Sequence, residues 1–435
     1  MEKMNYEEAV EWIHARLRLG IKPGLTRMEW MLEKLGSPEK KIKTVHVGGT
    51  NGKGSTVTYL RNVLQAAGYN IGTFTSPYFE KFNERISING IPVSNEEIVE
   101  LVKVIRPLAE ELEQTEWGGP SEFEVITIMS LYYFAEIRPV DLVIYEVGLG
   151  GRLDSTNVIT PLVSVITSIG YDHMQFLGDT LAEIAYEKAG IIKKNIPVIT
   201  AVKQLEALNV IEKKAATQNS ELFVLGRDFR VEHLGPLETG ESFYYSSKKQ
   251  QDEFIISMIG KHQVENASLA LTTIELLNAT QEFIIRKEAI INGLKKANWP
   301  GRMERLSTEP LVFLDGAHNP ESVAALVETV NSRFQNEKVH ILFAALKDKK
   351  VENMLEQLES VALSIAFTSF DFPRAATAKE LYEISTHSNK KLVEDWYHYI
   401  LELLPSLKED DVLIITGSLY FLSTIKPELI ELLEK

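Results

Sequence analysis

Residues 45–56, VHVGGTNGKGST, surround a single lysine with glycines, and that combination can hold phosphate. A glycine-rich turn between a strand and a helix points several backbone N–H groups into one concavity, and the helix N-terminus adds partial positive charge. Lys53 would supply a formal charge for β- and γ-phosphates, and Ser55 or Thr56 a hydroxyl for Mg²⁺. The loop comprises Gly49, Thr50, Asn51, Gly52, Lys53, Gly54, Ser55 and Thr56. It departs from the common spelling, G-x-x-x-x-G-K-S/T, because Gly54 intervenes between the lysine and the hydroxyls. The bland alternative is a tight turn whose glycines serve only positive φ.

Further residues could complete a phosphoryl-transfer site. In DLVIYEVGLGGRLDSTNV, residues 141–158, Glu146 ends an apolar strand, where a metal-binding acid sits beside a phosphate loop. One acid at a strand end is more often structural, so Glu146 alone does not decide. In SIGYDHMQFLGDTLAEIAYEKAGIIK, residues 168–193, His173 follows another strand end and could offer a nitrogen to a divalent ion, although Mg²⁺ prefers oxygen. Asp315 and His318 in FLDGAHNP lie at a third strand-to-helix turn, which an Asx-type cap would explain equally well.

The elements that must carry these residues are legible as alternating periods. Residues 1–35 read as helix, with Val10, Ile13 and Leu17 at helical spacing. IKTVHVGG reads as a strand entering the loop and STVTYLRNVLQAAG as the helix leaving it. IGTFTSP, DLVIYEVG, PLVSVITS and IPVIT continue the strands, with helical stretches such as EFEVITIMSLYYF between them. That alternation predicts a mainly parallel α/β sheet. ELFVLG, FRVEHL, ESFYYSS and EFIISM (residues 221–258) have no helices between them and predict a small antiparallel patch. A second alternating block follows Pro300 and Gly301, giving two expected domains, 1–298 and a smaller Rossmann-like α/β domain, 299–435.

Composition narrows the function classes. The chain has 435 residues, no cysteine and a net charge of −15, so disulfides and thiolate metal sites are excluded and a broad nucleic-acid surface is disfavoured. No apolar run reaches the roughly 18 residues of a membrane span, and the charged N-terminus has no apolar signal core. A cytoplasmic protein without nucleic-acid or membrane partners is the expectation.

The whole pattern resembles the folylpolyglutamate synthase and dihydrofolate synthase family of the Mur ligase superfamily, whose phosphate loop is similar to GTNGKGS. Cell-wall Mur ligases place a hydroxyl directly after the lysine, so Gly54 favours the folate branch. Those relatives also carry an N-terminal UDP-binding domain, for which too few residues precede the loop here. TFTSPYFEKFNERISING, GLGGRLDSTN, the helix SEFEVIT, GKHQVENASLA, NWPGRMERL and DGAHNP extend the likeness along nearly the whole chain. Two departures are Tyr78 and Phe79, where the family reads T-S-P-H-L, and Ser155, where it reads D-A-T-N-V.

The resemblance implies an ATP-dependent ligase that joins L-glutamate to a folate carboxylate, working as a monomer with its site in the cleft between two domains. Lys53, Glu146, His173 and Lys188 would be the catalytic group, with Lys188 carbamylated. Ser55, Ser76, Glu146, His173 and Lys188 would organise two Mg²⁺ ions, and Asn266, Arg302, Asp315 and His318 would join the loop in binding ATP. Phe123, Glu124, Arg152, Leu153, Asp154 and Ser155 would face the pterin-bearing substrate, folate or dihydropteroate. Pattern alone fits Phe123 equally well as a core residue, and it favours Ser76 as a turn hydroxyl and Lys188 as a solvated helix lysine. The run ALKDKK, residues 345–350, could attract a polyglutamate tail, though such runs are usually solvated. Other readings are a different Mur-type amino-acid ligase, a P-loop switch ATPase, which has no need of the DGAH block or a second α/β domain, or a binding protein, which would not need Glu146 and His173 both at strand ends near a phosphate loop.

Overall fold

The computed structural model describes residues 4–20 and 22–434. Among the described residues, seventeen strands form three sheets: β1 Thr44–Gly48, β2 Ile71–Phe74, β3 Ile86–Ile88, β4 Ile91–Pro92, β5 Leu142–Glu146, β6 Val163–Ile166, β7 Val198–Thr200, β8 Leu222–Val224, β9 Phe229–Pro236, β10 Glu241–Ser247, β11 Gln251–Ile256, β12 Glu304–Thr308, β13 Leu311–Asp315, β14 Lys338–Phe343, β15 Ser364–Phe367, β16 Lys390–Leu392 and β17 Asp411–Thr416.

The first sheet runs β4-β3-β2-β5-β1-β6-β7-β8. Its strands from β2 to β8 are parallel, and β3 and β4 add an antiparallel edge. Apolar side chains bury both faces. Val143 and Tyr145 pack with Phe74, Val125 and Ile128 on one side, and Val147, Ile166 and Val198 pack with Ile184 and Ile191 on the other. Burying both faces demands continuous apolar strands rather than alternating ones, and LVIYE in β5 is fully buried. The parallel register aligns Val47 of β1 with Glu146 of β5 and with Val165 of β6. Three loops therefore leave from neighbouring carboxyl ends, which is where open α/β sheets bind ligands.

Two details depart from the sequence reading. Residues 1–35 are not one helix: Tyr6–His14, a 3₁₀ turn Ala15–Leu19 and Thr26–Lys34 are separate, and Leu17 is exposed. Gly20 at φ 64° and Gly24 at φ 119°, with Pro23 between them, break the helical path. The start of that expected helix, residues 1–3, lies outside the described residues. ELFVLG does not join the antiparallel patch; β8 pairs parallel with β7 as the last strand of the first sheet. The patch itself is β11-β10-β9, closed by tight turns in which Leu237 N donates to Gly240 O and Ser247 N to Gln250 O.

The second large sheet runs β12-β13-β17-β14-β15-β16, parallel from β13 to β16 with β12 antiparallel at the edge. Its core joins Phe313, Ile341, Phe343, Phe367 and Ile414 to Leu326 and Met354 of the covering helices. The chain divides into two compact units. The first takes residues up to Val231, Tyr245–Phe254 and Glu265–Ala297; the second takes Glu232–Tyr244, Ile255–Val264 and the residues from Asn298 onward. Among the described residues no helix is long and apolar enough to cross a membrane.

Two histidines resist protonation. His46 in β1 is fully buried and His262 is half-buried beside the Arg302 charge, and loss of water, largest in both, pushes their pKa values from 6.5 down to about 3 and about 4. The unfolded chain takes up these protons near 6.5, whereas the folded chain refuses them until lower pH. Stability is therefore intact above about 6.5 and falls on acidification, each histidine contributing about 1.4 kcal/mol per pH unit until its folded value is reached. Thermal midpoints should drop between pH 7 and pH 4.5, and His262→Asn should shallow that drop. A flat midpoint across this range would contradict the lowered values of both rings.

Candidate active site

The phosphate loop leaves β1 with backbone angles that side chains resist. Gly49 lies at φ 145° and Gly52 at φ 87°. A Cβ on Gly49 would stand 1.9 Å from Thr167 Oγ1, and one on Gly52 would stand 2.3 Å from Asn266 Oδ1. These glycines thus admit two neighbours, and Asn266, expected at the nucleotide, lies directly against the loop. The segment following β6 braces the loop. Thr50 N donates to Ser168 O (2.8 Å), Asn51 N to Ser168 Oγ (2.9 Å) and Thr167 Oγ1 to Asn51 O (2.6 Å). Gly170 N donates to Thr50 Oγ1 (3.0 Å).

The sequence reading missed this brace. Thr167 and Ser168 are paired hydroxyls directly after an apolar strand, but the pairing itself spans more than a hundred residues. Gly49→Ala should weaken binding of a non-hydrolysable ATP analogue at least about tenfold, since the new methyl must displace Thr167 and strain the turn. Titration calorimetry checks this; unchanged affinity would mean that the loop does not form the nucleotide site.

Helix Lys53–Ala66 starts at the loop with Gly52 as its N-cap. Thr56 Oγ1 donates to Gly52 O at 2.9 Å and is committed to the first turn. Ser55 is buried in the same turn. Of the two late hydroxyls, Thr56 is the one bonded back to the Gly52 carbonyl. Lys53 Nζ curls back to donate to Gly49 O (3.0 Å) and Thr50 O (3.1 Å).

Lys188 reaches the same carbonyl. It sits in helix Leu181–Ala189, is 5% exposed, and donates from Nζ to Gly49 O at 3.0 Å. Burial, then the nearby Lys53 charge, pushes its pKa down to about 7, with Asp172 and Asp154 opposing. A solvated helix lysine would show none of this. Asp172, which sequence reasoning passed over, thereby contributes to the field at Lys188. Glu146 is buried at the end of β5, and its Oε2 accepts Ser76 N at 3.2 Å. Ser76 and Glu146 are thus neighbours. His173 stands differently: its φ is 50° and its side chain is 44% exposed, with Nε2 3.9 Å from Asp172.

The turn 147–158 presses on the helix that carries Lys188. Arg152 N donates to Glu187 O at 2.7 Å, and its guanidinium pairs with Glu187 at 2.9 Å. Asp154 is buried and turned inward, accepting from Leu149 N (2.8 Å) and Thr156 N (3.0 Å). Burial raises its pKa, and those hydrogen bonds oppose the rise. Ser155 is buried beside it and Leu153 is half-buried.

Phe123 packs 5.8 Å from the Phe74 ring and over Gly148, where a Cβ would meet it at 2.5 Å. Glu124 is 1% exposed. It accepts from Ser121 N (2.7 Å) in a capping box and pairs with Arg27 Nε at 2.9 Å. Its carboxylate is therefore engaged inside the fold.

In the second unit, Asp315 ends β13 in register with Thr416 of β17. Its two oxygens accept from Met303 N (2.9 Å) and Ala317 N (3.0 Å). Burial raises its pKa against the opposing Arg302 charge. Arg302 lies against Gly316, where a Cβ would stand 2.8 Å from Nη1. His318 Nδ1 donates to Gly316 O at 2.7 Å. Arg302, Asp315 and His318 therefore form one cluster, and the Asx-type cap is present as well, through Asn319 and helix Pro320–Arg333.

Among the described residues no three His, Asp or Glu side chains form a ready-made metal cage. The buried Ser55 hydroxyl and Glu146 carboxylate are nevertheless hard oxygen donors. They fit Mg²⁺, which is usually held by one or two carboxylates together with substrate phosphates.

The chain matches the Mur ligase middle domain over residues 47–274 and the Mur ligase glutamate ligase domain over residues 301–419. It is 50% identical over 425 residues to the dihydrofolate synthase/folylpolyglutamate synthase of Bacillus subtilis (strain 168), covering 98% of this chain and 99% of that one. Among solved structures it is similar to E. coli FolC in complex with DHPP and ADP, with a TM-score of 0.88, 26% identity and full coverage of both chains. An FPGS–AMPPCP–folate complex aligns with a TM-score of 0.83 and 32% identity, over 98% of this chain and 100% of that one.

Proposed function

The chain belongs to the folylpolyglutamate synthase/dihydrofolate synthase family of the Mur ligases, and on that premise we propose a reaction and a set of roles for its residues. It is an ATP-dependent ligase that adds L-glutamate to the carboxylate of a reduced folate. Dihydropteroate is proposed as a second acceptor, supported by the B. subtilis relative's double name and by DHPP in the FolC complex.

The observation that supports this reading best is the convergence of Lys53 and Lys188 on the Gly49 carbonyl at the mouth of a phosphate loop. A carboxylate is a poor electrophile, so it must be activated. Its oxygen attacks the γ-phosphorus of ATP, the bond to the ADP oxygen breaks, and an acyl phosphate forms. The amine of glutamate then attacks the acyl carbon, phosphate leaves, and the amine loses a proton. Lys53 and the loop N–H groups hold the triphosphate and offset charge as it shifts towards the leaving oxygen. Asn266 supports the loop from Gly52, and Arg302, Asp315 and His318 are assigned to the nucleotide.

Ser55, Ser76, Glu146, His173 and a carbamylated Lys188 are assigned to two Mg²⁺ ions, which when bound supply charge neutralisation on the phosphates. The carbamate forms when the neutral amine adds to CO₂ and releases a proton, and burial favours that neutral amine. Phe123, Arg152 and Leu153 are assigned to the pterin-bearing substrate. Glu124, Asp154 and Ser155, all buried, shape that wall from behind. The proposed domain division, a P-loop domain 1–298 and a glutamate-ligase domain 299–435, follows the same reading.

Glutamate-dependent ADP release with tetrahydrofolate, with dihydropteroate and with a UDP-muramyl acceptor separates the alternatives. Activity with both pterin substrates is expected. Activity with tetrahydrofolate alone would remove the dihydrofolate synthase assignment, and activity only with the muramyl acceptor would overturn the folate reading.

A further inference from the structure

We propose that Thr156 is a positioning residue of the ligase reaction, whose hydroxyl locks the turn 147–158 to the strand that feeds the phosphate loop. The proposal rests on the ligase reading above. Thr156 is fully buried, and it joins two buried side chains from distant parts of the chain. On one side, His46 Nε2 lies 2.8 Å from Thr156 Oγ1, and His46 stands in β1, three residues before Gly49. On the other, Thr156 donates from both Oγ1 and its backbone N to Asp154 Oδ1. Because the hydroxyl proton goes to Asp154, the imidazole must donate its own Nε2 proton to Thr156. The chain of donors runs from the ring to the hydroxyl to the carboxylate, and Asp154 Oδ2 ends it by accepting Leu149 N.

The next residue makes the second half of the clamp. Asn157 Nδ2 donates to Arg152 O (3.0 Å) and Gly190 O (3.1 Å), and Lys193 Nζ donates to Asn157 O (2.7 Å). Gly190 lies two residues after Lys188, and the approach is close enough that a Cβ on Gly190 would stand 2.3 Å from Arg152 Cα. One side of S-T-N therefore grips β1 and the other grips the end of the helix that carries Lys188. This fixes how far Lys188 and Arg152 stand from the phosphate loop. The loop's own conformation does not depend on this clamp, because Thr167 and Ser168 brace it from β6.

That separation makes the role testable. Thr156→Val keeps the shape and removes the hydroxyl, whereas Thr156→Ser keeps the hydroxyl. In the full chain, Thr156→Val should lower kcat by about tenfold to a hundredfold, while affinity for a non-hydrolysable ATP analogue stays within about twofold. Thr156→Ser should restore kcat to within about threefold of wild type. If Thr156→Val does not fold, His46→Leu should show the same split and His46→Gln, which keeps a donor, should not. The proposal is overturned if folded Thr156→Val turns over like wild type, or if analogue affinity falls in step with kcat. The absence of glutamate-dependent turnover in the wild-type chain would instead sink the ligase reading itself.

Discussion

Lys53→Ala should cut glutamate-dependent ADP release on the order of a thousandfold, the scale for removing a preorganised charge from a transition state. The variant should fold, because Lys53 is not what holds the loop. Its ammonium donates to Gly49 O and Thr50 O, but the brace from Thr167 and Ser168 and the bond from Thr56 Oγ1 to Gly52 O stay in place without it. Affinity for an ATP analogue should fall much less than turnover, since the loop N–H groups and helix N-terminus still face the phosphates. Lys53→Arg should not rescue it, because a longer, planar guanidinium does not place its charge where a compact ammonium does. Steady-state assays on the purified variant check this. Turnover near the wild-type rate would show that the nucleotide is held elsewhere.

Lys188 carries the second large effect. Lys188→Ala should lower turnover by at least about a hundredfold, and a short carboxylic acid in the buffer should restore part of it by replacing the carbamate oxygens. Intact mass under CO₂-preserving conditions, or electron density at Nζ, should show one carbamate. The pH dependence has a definite sign. With a pKa near 7, the amine becomes neutral as pH rises through about 7, so carbamate formation and bicarbonate-dependent activity should rise over that range. An unfolded lysine keeps its proton to about 10.4, so between about 7 and that value the unfolded chain binds more protons and this site's contribution to stability rises with pH. At neutral pH the unmodified lysine is a cost to folding. Lys188→Met should therefore melt higher than wild type in CO₂-free buffer at pH 7 while remaining inactive. Full activity of Lys188→Ala, or of wild type stripped of CO₂, would remove the carbamate from the account.

Much of the site was readable because its residues follow apolar strands. The phosphate loop, Glu146 and Asp315 each terminate a run whose burial on both faces leaves no polar alternation, so a polar residue at the end stands out. What sequence hid was set by pairing between distant segments. Nothing local shows that Thr167 and Ser168 brace a loop over a hundred residues earlier, or that β8 pairs with β7 rather than with the strands that follow it. Glu124 follows Phe123 on an apolar helix, and nothing near it in sequence shows that it pairs with Arg27 of a separate segment. The broken N-terminal helix was different: Gly20, Pro23 and Gly24 were in view, and apolar spacing outweighed them wrongly. Segments Glu232–Tyr244 and Ile255–Val264 group with the second unit although they precede the Pro300–Gly301 punctuation. One buried link there is Glu241 to Arg333 at 2.9 Å, between residues too distant in sequence for any local signal.

Heavy-oxygen labelling of the folate γ-carboxylate tests the central claim most directly. Activation as an acyl phosphate transfers one carboxylate oxygen to the phosphate released when glutamate is joined. Each glutamyl bond formed with labelled tetrahydrofolate should therefore yield one labelled inorganic phosphate and one ADP. Unlabelled phosphate accompanying the same glutamyl product would contradict the account.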